Sequence, residues 1–318
     1  MATNDGKKIA FLFPGQGSQF LGMTKGFRDL DPQCGELMAL AEKASGLPLT
    51  TLCDEGPMEE LTRTLHLQPA MTAANLICHQ ALVKAGVKAD YCCGHSLGEY
   101  GALCAAGVLS VEDTLKLVTE RGRLMEREAA AHPGAMRAVV KLGIEEVEEI
   151  IAQVRSGVLC VANHNSAQQI VISGEEGPVE EAAKLVADRG GKAIPLKVSG
   201  PWHSELIGGA VADFAAAMAK IDFRAPAVPI LFNVTAATET DPAAIREIMA
   251  RQISSRVRWF ETVQRLMAED VRIFIEVGPK NVLTGLLKKI IPDGYAHQAL
   301  QVDSPETLAA CLAEIAGG

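Results

Sequence analysis

The stretch YCCGHSLGEYGAL, residues 91–103, decides how this chain is predicted to fold. A short apolar run ends at Gly94, Ser96 follows, and a run of small residues begins at Gly98. The spacing G-x-S-x-G between a strand and a helix is typical of a nucleophile elbow. The plainer alternative is a helix whose first turn a serine caps. We interpret Ser96 as a nucleophile at a helix N-terminus, where backbone N–H groups can stabilise an oxyanion.

Apolar runs recur along the chain and alternate with helical patterns over 72–86 and 110–130. Several of the runs are apolar throughout, which indicates strands buried on both faces of a parallel sheet. The runs occupy residues 9–13, 137–142, 158–162, 169–173, 228–234 and 272–277. Ser110 and Asp113 predict an N-terminal cap for the second helix. Together these patterns predict an α/β fold with an α/β-hydrolase-like core and a parallel sheet.

Residues 134–199 form a block of their own. Their pattern is strand, helix, strand, strand, helix, strand, which is the βαββαβ order of a ferredoxin-like subdomain. The segments AHPG (131–134) and SGP (199–201) are suited to be hinges at its ends. We therefore predict a discontinuous catalytic core of residues 1–133 and 200–318, with residues 134–199 inserted as a small subdomain.

Composition excludes several classes of protein. The 318 residues are 48% hydrophobic and 22% charged, which is typical of a globular protein. The net charge of −9 argues against a nucleic-acid binder. No apolar run reaches the ~18 residues that a membrane span needs, and the run before Pro14 is too short for a secretory signal. We expect no membrane contact and a cytoplasmic location.

The eight cysteines contain no C-x-x-C spacing, so the sequence signals neither a zinc site nor a redox pair. The run PGQGSQ (14–19) is glycine-rich and follows a strand, which would suit a phosphate cradle. It lacks the Lys-Ser/Thr of a P-loop and the third glycine of a dinucleotide site. We interpret it as a loop that contributes to an oxyanion hole.

A serine nucleophile needs a base, and the histidines that follow it are candidates. In a simple hydrolase the base is a histidine near the C-terminus, which would nominate His297. The run VSGPWHSEL instead offers His203 in a turn beside Pro201 and Trp202. The residues by themselves leave both histidines open.

Nine motifs in a fixed order resemble the malonyl-CoA:acyl carrier protein transacylases of fatty-acid synthesis. The resemblance covers roughly residues 8–290. The motifs are FLFPGQGSQFLGM (11–23), GHSLGEY (94–100), RGRLM (121–125), GAM (134–136), VANHNS (161–166), VSGPWHS (198–204), LFNVTA (231–236), RQISSRVRW (251–259) and EVGPKNVLTGL (276–286).

This resemblance implies catalytic roles. Ser96 would accept the acyl group, His203 would be its base, and the backbone carbonyl of Gln252 would orient the histidine. The oxyanion hole would use the backbone N–H groups of Gln16 and Leu97. His297 would then be a surface residue.

The resemblance also implies how substrates bind. Arg121, otherwise an ordinary helix arginine, would grip the malonyl carboxylate through two parallel hydrogen bonds. Asn163 and Asn165 would contact the pantetheine arm, or else form a polar turn between two strands, with His164 exposed. Arg137, Trp202 and Lys280 depart from the commonest family pattern, and Trp202 would line the acyl pocket.

The implied activity is ping-pong transfer of malonyl from malonyl-CoA to the phosphopantetheine thiol of acyl carrier protein. It requires no metal and no other cofactor, and we expect a monomer. An acidic carrier protein would need basic residues at the cleft, for which the candidates are Arg251, Arg256, Arg258, Lys280, Lys288 and Lys289. The alternatives are an esterase or thioesterase on the same elbow, a polyketide acyltransferase, or an idle acyl-carrier scaffold.

Overall fold

The computed structural model describes residues 6–317, which form two β-sheets with helices around them. The strands are β1 (Lys8–Phe13), β2 (Tyr91–Gly94), β3 (Ala135–Val140), β4 (Leu159–Ser166), β5 (Gln169–Gly174), β6 (Lys192–Pro195), β7 (Ile230–Leu231), β8 (Val271–Val277) and β9 (Gln298–Val302). The helices are α1 (Lys25–Leu30), α2 (Pro32–Ser45), α3 (Leu49–Glu55), α4 (Met58–Thr62), α5 (Thr64–Lys84), α6 (Gly98–Ala105), α7 (Val111–Ala131), α8 (Ile144–Gln153), α9 (Glu176–Asp188), α10 (Ala210–Met218), α11 (Pro242–Gln252), α12 (Trp259–Ala268), α13 (Val282–Ile290) and α14 (Pro305–Gly317).

The larger sheet is parallel, with the strand order β7-β2-β1-β8-β9. Its central strand β1 is buried on both faces, which explains why its sequence is apolar throughout. Phe11 and Phe13 belong to the core on one face, and Ala10 and Leu12 belong to the core on the other. The predicted α/β fold with a parallel sheet is confirmed.

The smaller sheet is antiparallel, with the order β4-β5-β3-β6. Helices α8 and α9 cover one face, where they bury a separate apolar cluster that includes Val139, Val147, Ile170 and Val179. The chain order of strands and helices is the βαββαβ that the sequence predicts. All of it lies within residues 134–199, and the domain bounds themselves stay a prediction.

The ends of several elements differ from the sequence prediction. The predicted strand 158–162 continues to Ser166, so Asn163, His164 and Asn165 lie on β4 and not in a turn. His164 is buried and lies beside Glu261, so the expectation of an exposed histidine is wrong. The reason is tertiary: the backbone N–H of His164 donates to Val257 of the core, which lengthens the strand.

Two further elements differ in length. The predicted strand 228–234 shortens to the two residues of β7, which lies at one edge of the larger sheet. The predicted helix 72–86 begins earlier, at Thr64, and contains Pro69. Ser110 caps α7 by accepting the backbone N–H of Asp113, as predicted. None of the helices within residues 6–317 is both long enough and apolar enough to cross a bilayer.

Candidate active site

Ser96 lies in the turn between β2 and α6, with a φ of 52°. A non-glycine residue rarely adopts this left-handed conformation, and in an active site it marks stored strain. The glycines on either side make the turn possible. A Cβ on Gly94 would lie 2.1 Å from the carbonyl carbon of Gly98, and a Cβ on Gly98 would lie 1.9 Å from the carbonyl oxygen of Phe13. The G-x-S-x-G spacing therefore reflects close packing of helix against strand.

The structure brings His203 to Ser96. Nε2 of His203 lies 2.7 Å from Oγ of Ser96. Nδ1 lies 3.1 Å from the backbone carbonyl oxygen of Gln252 and 3.0 Å from that of Ser255. Because both carbonyls only accept, Nδ1 carries the proton and Nε2 is left free to accept from the serine. His297 is exposed, so of the two candidate histidines only His203 lies beside the serine; its role as the base stays a prediction.

The surroundings of His203 keep its imidazole neutral. Burial is the larger cause and the positive charge of Arg121 the next, and together they lower the pKa of His203 from 6.5 to about 3. A neutral imidazole can take the serine proton over the whole physiological pH range. His95, next to Ser96 in sequence, faces elsewhere, because its Nε2 lies 2.8 Å from Oδ1 of Asn165.

Two backbone N–H groups are available beside the serine. Among the described residues nothing accepts from the backbone N–H of Gln16 or of Leu97, and both residues line the cavity that contains Ser96. The loop of Gln16 is anchored at Pro14, whose carbonyl accepts from Nδ2 of Asn75 at 2.9 Å. This arrangement suits the predicted oxyanion hole, because unpaired N–H groups can donate hydrogen bonds to the oxyanion that forms during the reaction.

Arg121 extends from α7 to the floor of the cavity, where only 2% of the residue is exposed. Its Nη2 donates to Oγ of Ser96 at 3.2 Å and to Oε1 of Gln252 at 3.0 Å, and its Nη1 donates to Oε1 of Gln68 at 3.0 Å. Its Nε has no hydrogen-bond partner within residues 6–317, and none of the salt bridges found there includes Arg121. The guanidinium lies 5.6 Å from the centre of the Tyr100 ring, and the buried acid Glu99 reaches it only through Gln252. A buried cation beside a nucleophile, with no carboxylate in direct contact, indicates a site for an anionic ligand.

The cavity has a volume of about 290 Å³ and lies between the two sheets. Its apolar wall would suit an acyl chain and a pantetheine arm, and it comprises Met125, Met136, Ala138, Val171, Leu196, Val198, Trp202, Val282, Leu283 and Leu286. Asn163 and Asn165 also line it, both nearly buried. No group of three or more His, Cys, Asp or Glu residues in the described part of the chain is arranged to hold a metal ion.

Sequence reasoning missed three polar residues that support the elbow. Oδ1 of Asn233 accepts the backbone N–H of Ser96 at 2.7 Å, and its Nδ2 donates to Gly94 at 2.6 Å. Gln68 holds Arg121, and Glu99 is fully buried behind the serine. The one available signal was an acid and an amide, Glu99 and Asn233, within segments that are otherwise apolar or small.

This fold and this site define a serine acyltransferase. The family model of the acyl transferase domain matches residues 10–304. A solved acyl carrier protein S-malonyltransferase from Vibrio cholerae has a TM-score of 0.91 and 37% identity, and the match covers 95% of this chain and 99% of that one.

The relatives define the family more narrowly. The malonyl CoA-acyl carrier protein transacylase of Bacillus subtilis is 40% identical over 304 residues, which is 95% of each chain. A type II polyketide acyl-carrier protein has been solved in complex with its malonyl-transacylase, which has a TM-score of 0.92 and 35% identity over 96% of this chain and 99% of that one. The present chain belongs to the malonyl CoA-acyl carrier protein transacylase family.

Proposed function

We propose that this protein transfers a malonyl group from malonyl-CoA to the phosphopantetheine thiol of an acyl carrier protein in fatty-acid synthesis. The observation that carries the proposal is Arg121, a buried guanidinium 3.2 Å from the serine oxygen with no carboxylate partner. A simple esterase has no use for such a cation, whereas the free carboxylate of a malonyl ester would supply its missing counter-ion.

In the first half-reaction the serine attacks the thioester. His203 accepts the Oγ proton of Ser96 at Nε2 while Oγ bonds to the thioester carbon. The oxyanion that forms is stabilised by the N–H groups of Gln16 and Leu97. The carbon–sulfur bond then breaks, the imidazolium gives its proton to the departing thiolate, and CoA leaves as a thiol.

In the second half-reaction the same groups act in the reverse order. The carrier's thiol enters the cavity, gives its proton to His203 and attacks the malonyl-serine ester. The ester bond to Oγ breaks, and His203 returns the proton to Ser96. Neither step changes an oxidation state, and two N–H groups stabilise the charge that develops, so we propose that no metal or other cofactor takes part.

An acidic carrier protein needs basic groups around the entrance. Lys288 and Lys289 are exposed at the end of α13, whose other face lines the cavity, and Nζ of Lys289 reaches Gln169 at the cavity wall. Arg256 already pairs with Glu148, and Lys280 donates to the carbonyl of Gly17. We therefore favour Lys288 and Lys289 among the predicted basic residues as carrier contacts.

The carrier contact is tested by charge reversal. Lys288→Glu and Lys289→Glu should raise KM for carrier protein, while acylation of Ser96 by malonyl-CoA changes less. Lys184→Glu, on α9 of the small subdomain, supplies an exposed charge-reversal control of the same sign. Equal KM values for carrier protein in wild type and in the two lysine variants would contradict this placement.

The activity is tested with radiolabelled malonyl-CoA and acetyl-CoA. Wild type should form a labelled acyl-enzyme and pass malonyl to carrier protein, and Ser96→Ala should do neither. Arg121→Ala should lose malonyl loading by about a hundredfold, which corresponds to roughly 2–3 kcal/mol for a charged hydrogen-bonded pair, and should gain relative preference for acetyl. Release of free malonate as the main product of the wild type would make the protein a hydrolase instead.

We further propose that the enzyme acts as a monomer in the cytoplasm. The site supports the first part, because Ser96, His203 and Arg121 come from one chain and meet in one cavity. Light scattering after gel filtration should give a mass near 33.7 kDa, and a mass of twice that value at assay concentrations would overturn the proposal.

A further inference from the structure

A buried acid lies behind the nucleophile and takes no part in the proposed chemistry. Glu99 follows Ser96 by three residues, in the first turn of α6. One of its carboxyl oxygens accepts the backbone N–H of Asn233 at 2.8 Å, and the other accepts from Nε2 of Gln252 at 2.9 Å. Burying a carboxyl group is costly, so its retention beside the active site calls for a role.

The contact with Gln252 is the informative one. Nε2 of Gln252 donates to Glu99 and also to the backbone carbonyl of Ser96 at 2.7 Å, while its Oε1 accepts from Nη2 of Arg121 at 3.0 Å. A glutamine amide can occupy its site in two orientations, and its partners decide between them. In the turned orientation the NH2 group would face the guanidinium of Arg121, and the oxygen would face two acceptors. All three hydrogen bonds would be lost.

We propose that Glu99 is a positioning residue for Arg121: as an acceptor it fixes the amide orientation of Gln252, whose oxygen holds the guanidinium beside Ser96. The inference rests on the proposed function, in which Arg121 binds the malonyl carboxylate. Selectivity for malonyl over acetyl would then depend on a residue two contacts away from the arginine, in a chain that runs from Glu99 on α6 through Gln252 on α11 to Arg121 on α7.

The isosteric variant Glu99→Gln tests this chain. Both oxygens of the acid can accept, whether or not the carboxyl group carries a proton, whereas the amide of the variant has one acceptor oxygen for two donors. An NH2 group must therefore face either Asn233 or Gln252. The backbone N–H of Asn233 cannot turn away, whereas the side chain of Gln252 can. We expect the ratio of kcat/KM for malonyl-CoA over acetyl-CoA to fall about tenfold, the effect of one weakened charge-assisted hydrogen bond.

A purely structural role of Glu99 predicts an unchanged ratio. A loosened turn at Ser96 would lower kcat/KM equally for malonyl-CoA and for acetyl-CoA. Glu128→Gln is the matched control. Glu128 is another buried acid, it lies on the same helix as Arg121, and it pairs with Arg127 and not with Gln252. Its malonyl-to-acetyl ratio should equal that of wild type.

A second variant keeps the test valid if Glu99→Gln does not fold. Gln252→Leu keeps the backbone carbonyl that contacts His203 but removes the amide, so the ratio should again fall about tenfold. The double variant Glu99→Gln/Gln252→Leu tests whether the acid acts through the amide. If it does, the malonyl-to-acetyl ratio of kcat/KM in the double variant should differ by less than about twofold from that in Gln252→Leu alone.

The outcomes separate the two proposals. An unchanged ratio in Glu99→Gln or in Gln252→Leu, or full additivity in the double variant, would overturn the positioning role while leaving malonyl transfer intact. A wild type that loads no malonyl onto Ser96 would overturn the proposed function, and the positioning role with it.

Discussion

Two residues of the site, Ser96 and His203, hold left-handed backbone conformations, with φ of 52° and 59°. Such conformations persist only where the surroundings enforce them. Asn233 enforces the first by accepting from the N–H of Ser96 and donating to Gly94. Two predictions belong to the scale of single residues: one concerns a Cβ atom added at Gly98, and the other concerns the protonation of His203.

The first prediction concerns the glycine after the serine. Gly98→Ala should destabilise the fold by more than about 3 kcal/mol, because the new Cβ would overlap the Phe13 carbonyl and the whole helix would have to shift. Urea unfolding measures the loss.

Gly35→Ala is the control for that variant. Gly35 lies within α2, where a Cβ would meet nothing within 4 Å, so the substitution should stabilise the protein by about 0.5–1 kcal/mol. Similar unfolding free energies for the two variants would show that close packing at the elbow is not required.

The second prediction concerns the base. Because burial lowers the pKa of His203 to about 3, the imidazole stays neutral as the pH falls through 6.5. The kcat/KM for malonyl-pantetheine, which lacks the phosphates of CoA, should therefore be flat from about pH 5 to pH 8. An acid limb with an apparent pKa near 6.5 would contradict a buried, neutral base.

At the scale of elements, the cavity depends on how α13 is attached to β8. The carboxylate of Glu276, near the end of β8, accepts the N–H groups of Leu283 and Thr284 at 2.9 and 2.7 Å. These are the first free donors of the helix, which a buried carboxylate satisfies. Leu283 and Leu286 of the same helix line the cavity, so the cap positions one of its walls.

Removing this cap should cost stability. Glu276→Ala leaves two buried N–H groups without an acceptor and should lower the free energy of unfolding by about 2–4 kcal/mol. Glu306→Ala removes an exposed acid from the first turn of α14 and should cost less than about 1 kcal/mol. Equal losses in urea unfolding would contradict the structural importance that we assign to Glu276.

At the scale of the whole molecule, the site exists only where the two sheets meet. The larger sheet supplies the elbow and the oxyanion loop, and the smaller one supplies a wall with Asn163 and Asn165. Val257 joins them by pairing with β4. Burial shifts the pKa values of several titratable side chains in the molecule. The free energy of unfolding should therefore depend on pH.

We expect stability to be greatest at about pH 4.5–6.5. Burial raises the pKa of Glu99 to about 8 and of Glu276 to about 7, so the folded state retains protons that the unfolded state loses above pH 4.5, and stability declines as pH rises toward 8. Burial lowers the pKa of His203 to about 3 and of His79 to about 4, so stability also falls as pH drops below 6.5. Between 4.5 and 6.5 the two effects oppose each other.

Thermal unfolding between pH 4 and pH 9 measures this profile. Glu276→Gln should flatten the decline above pH 6.5, since it removes one of the two acids that must ionise. His297→Gln should leave the profile unchanged, because His297 is exposed. A midpoint that rises steadily from pH 6 to pH 9 in wild type would contradict the raised acid pKa values.

The sequence by itself determined the features that depend on neighbours along the chain. The elbow follows from Gly94, Ser96 and Gly98, because strand, turn and helix are consecutive and leave room for only glycine on either side. The parallel sheet follows from runs such as 9–13, because a strand buried on both faces must be apolar throughout. The order of the small subdomain follows from the same patterns.

Only the tertiary structure decided which distant groups meet. His203 is 107 residues from Ser96, and no local pattern separates it from His297; the fold does, by placing one against the serine and leaving the other exposed. The extension of β4 and the buried contacts of Glu99, Asn233 and Gln252 likewise depend on partners more than sixty residues away. Hydrogen bonds and burial act over a few ångströms of space, and a sequence records neighbours only along the chain.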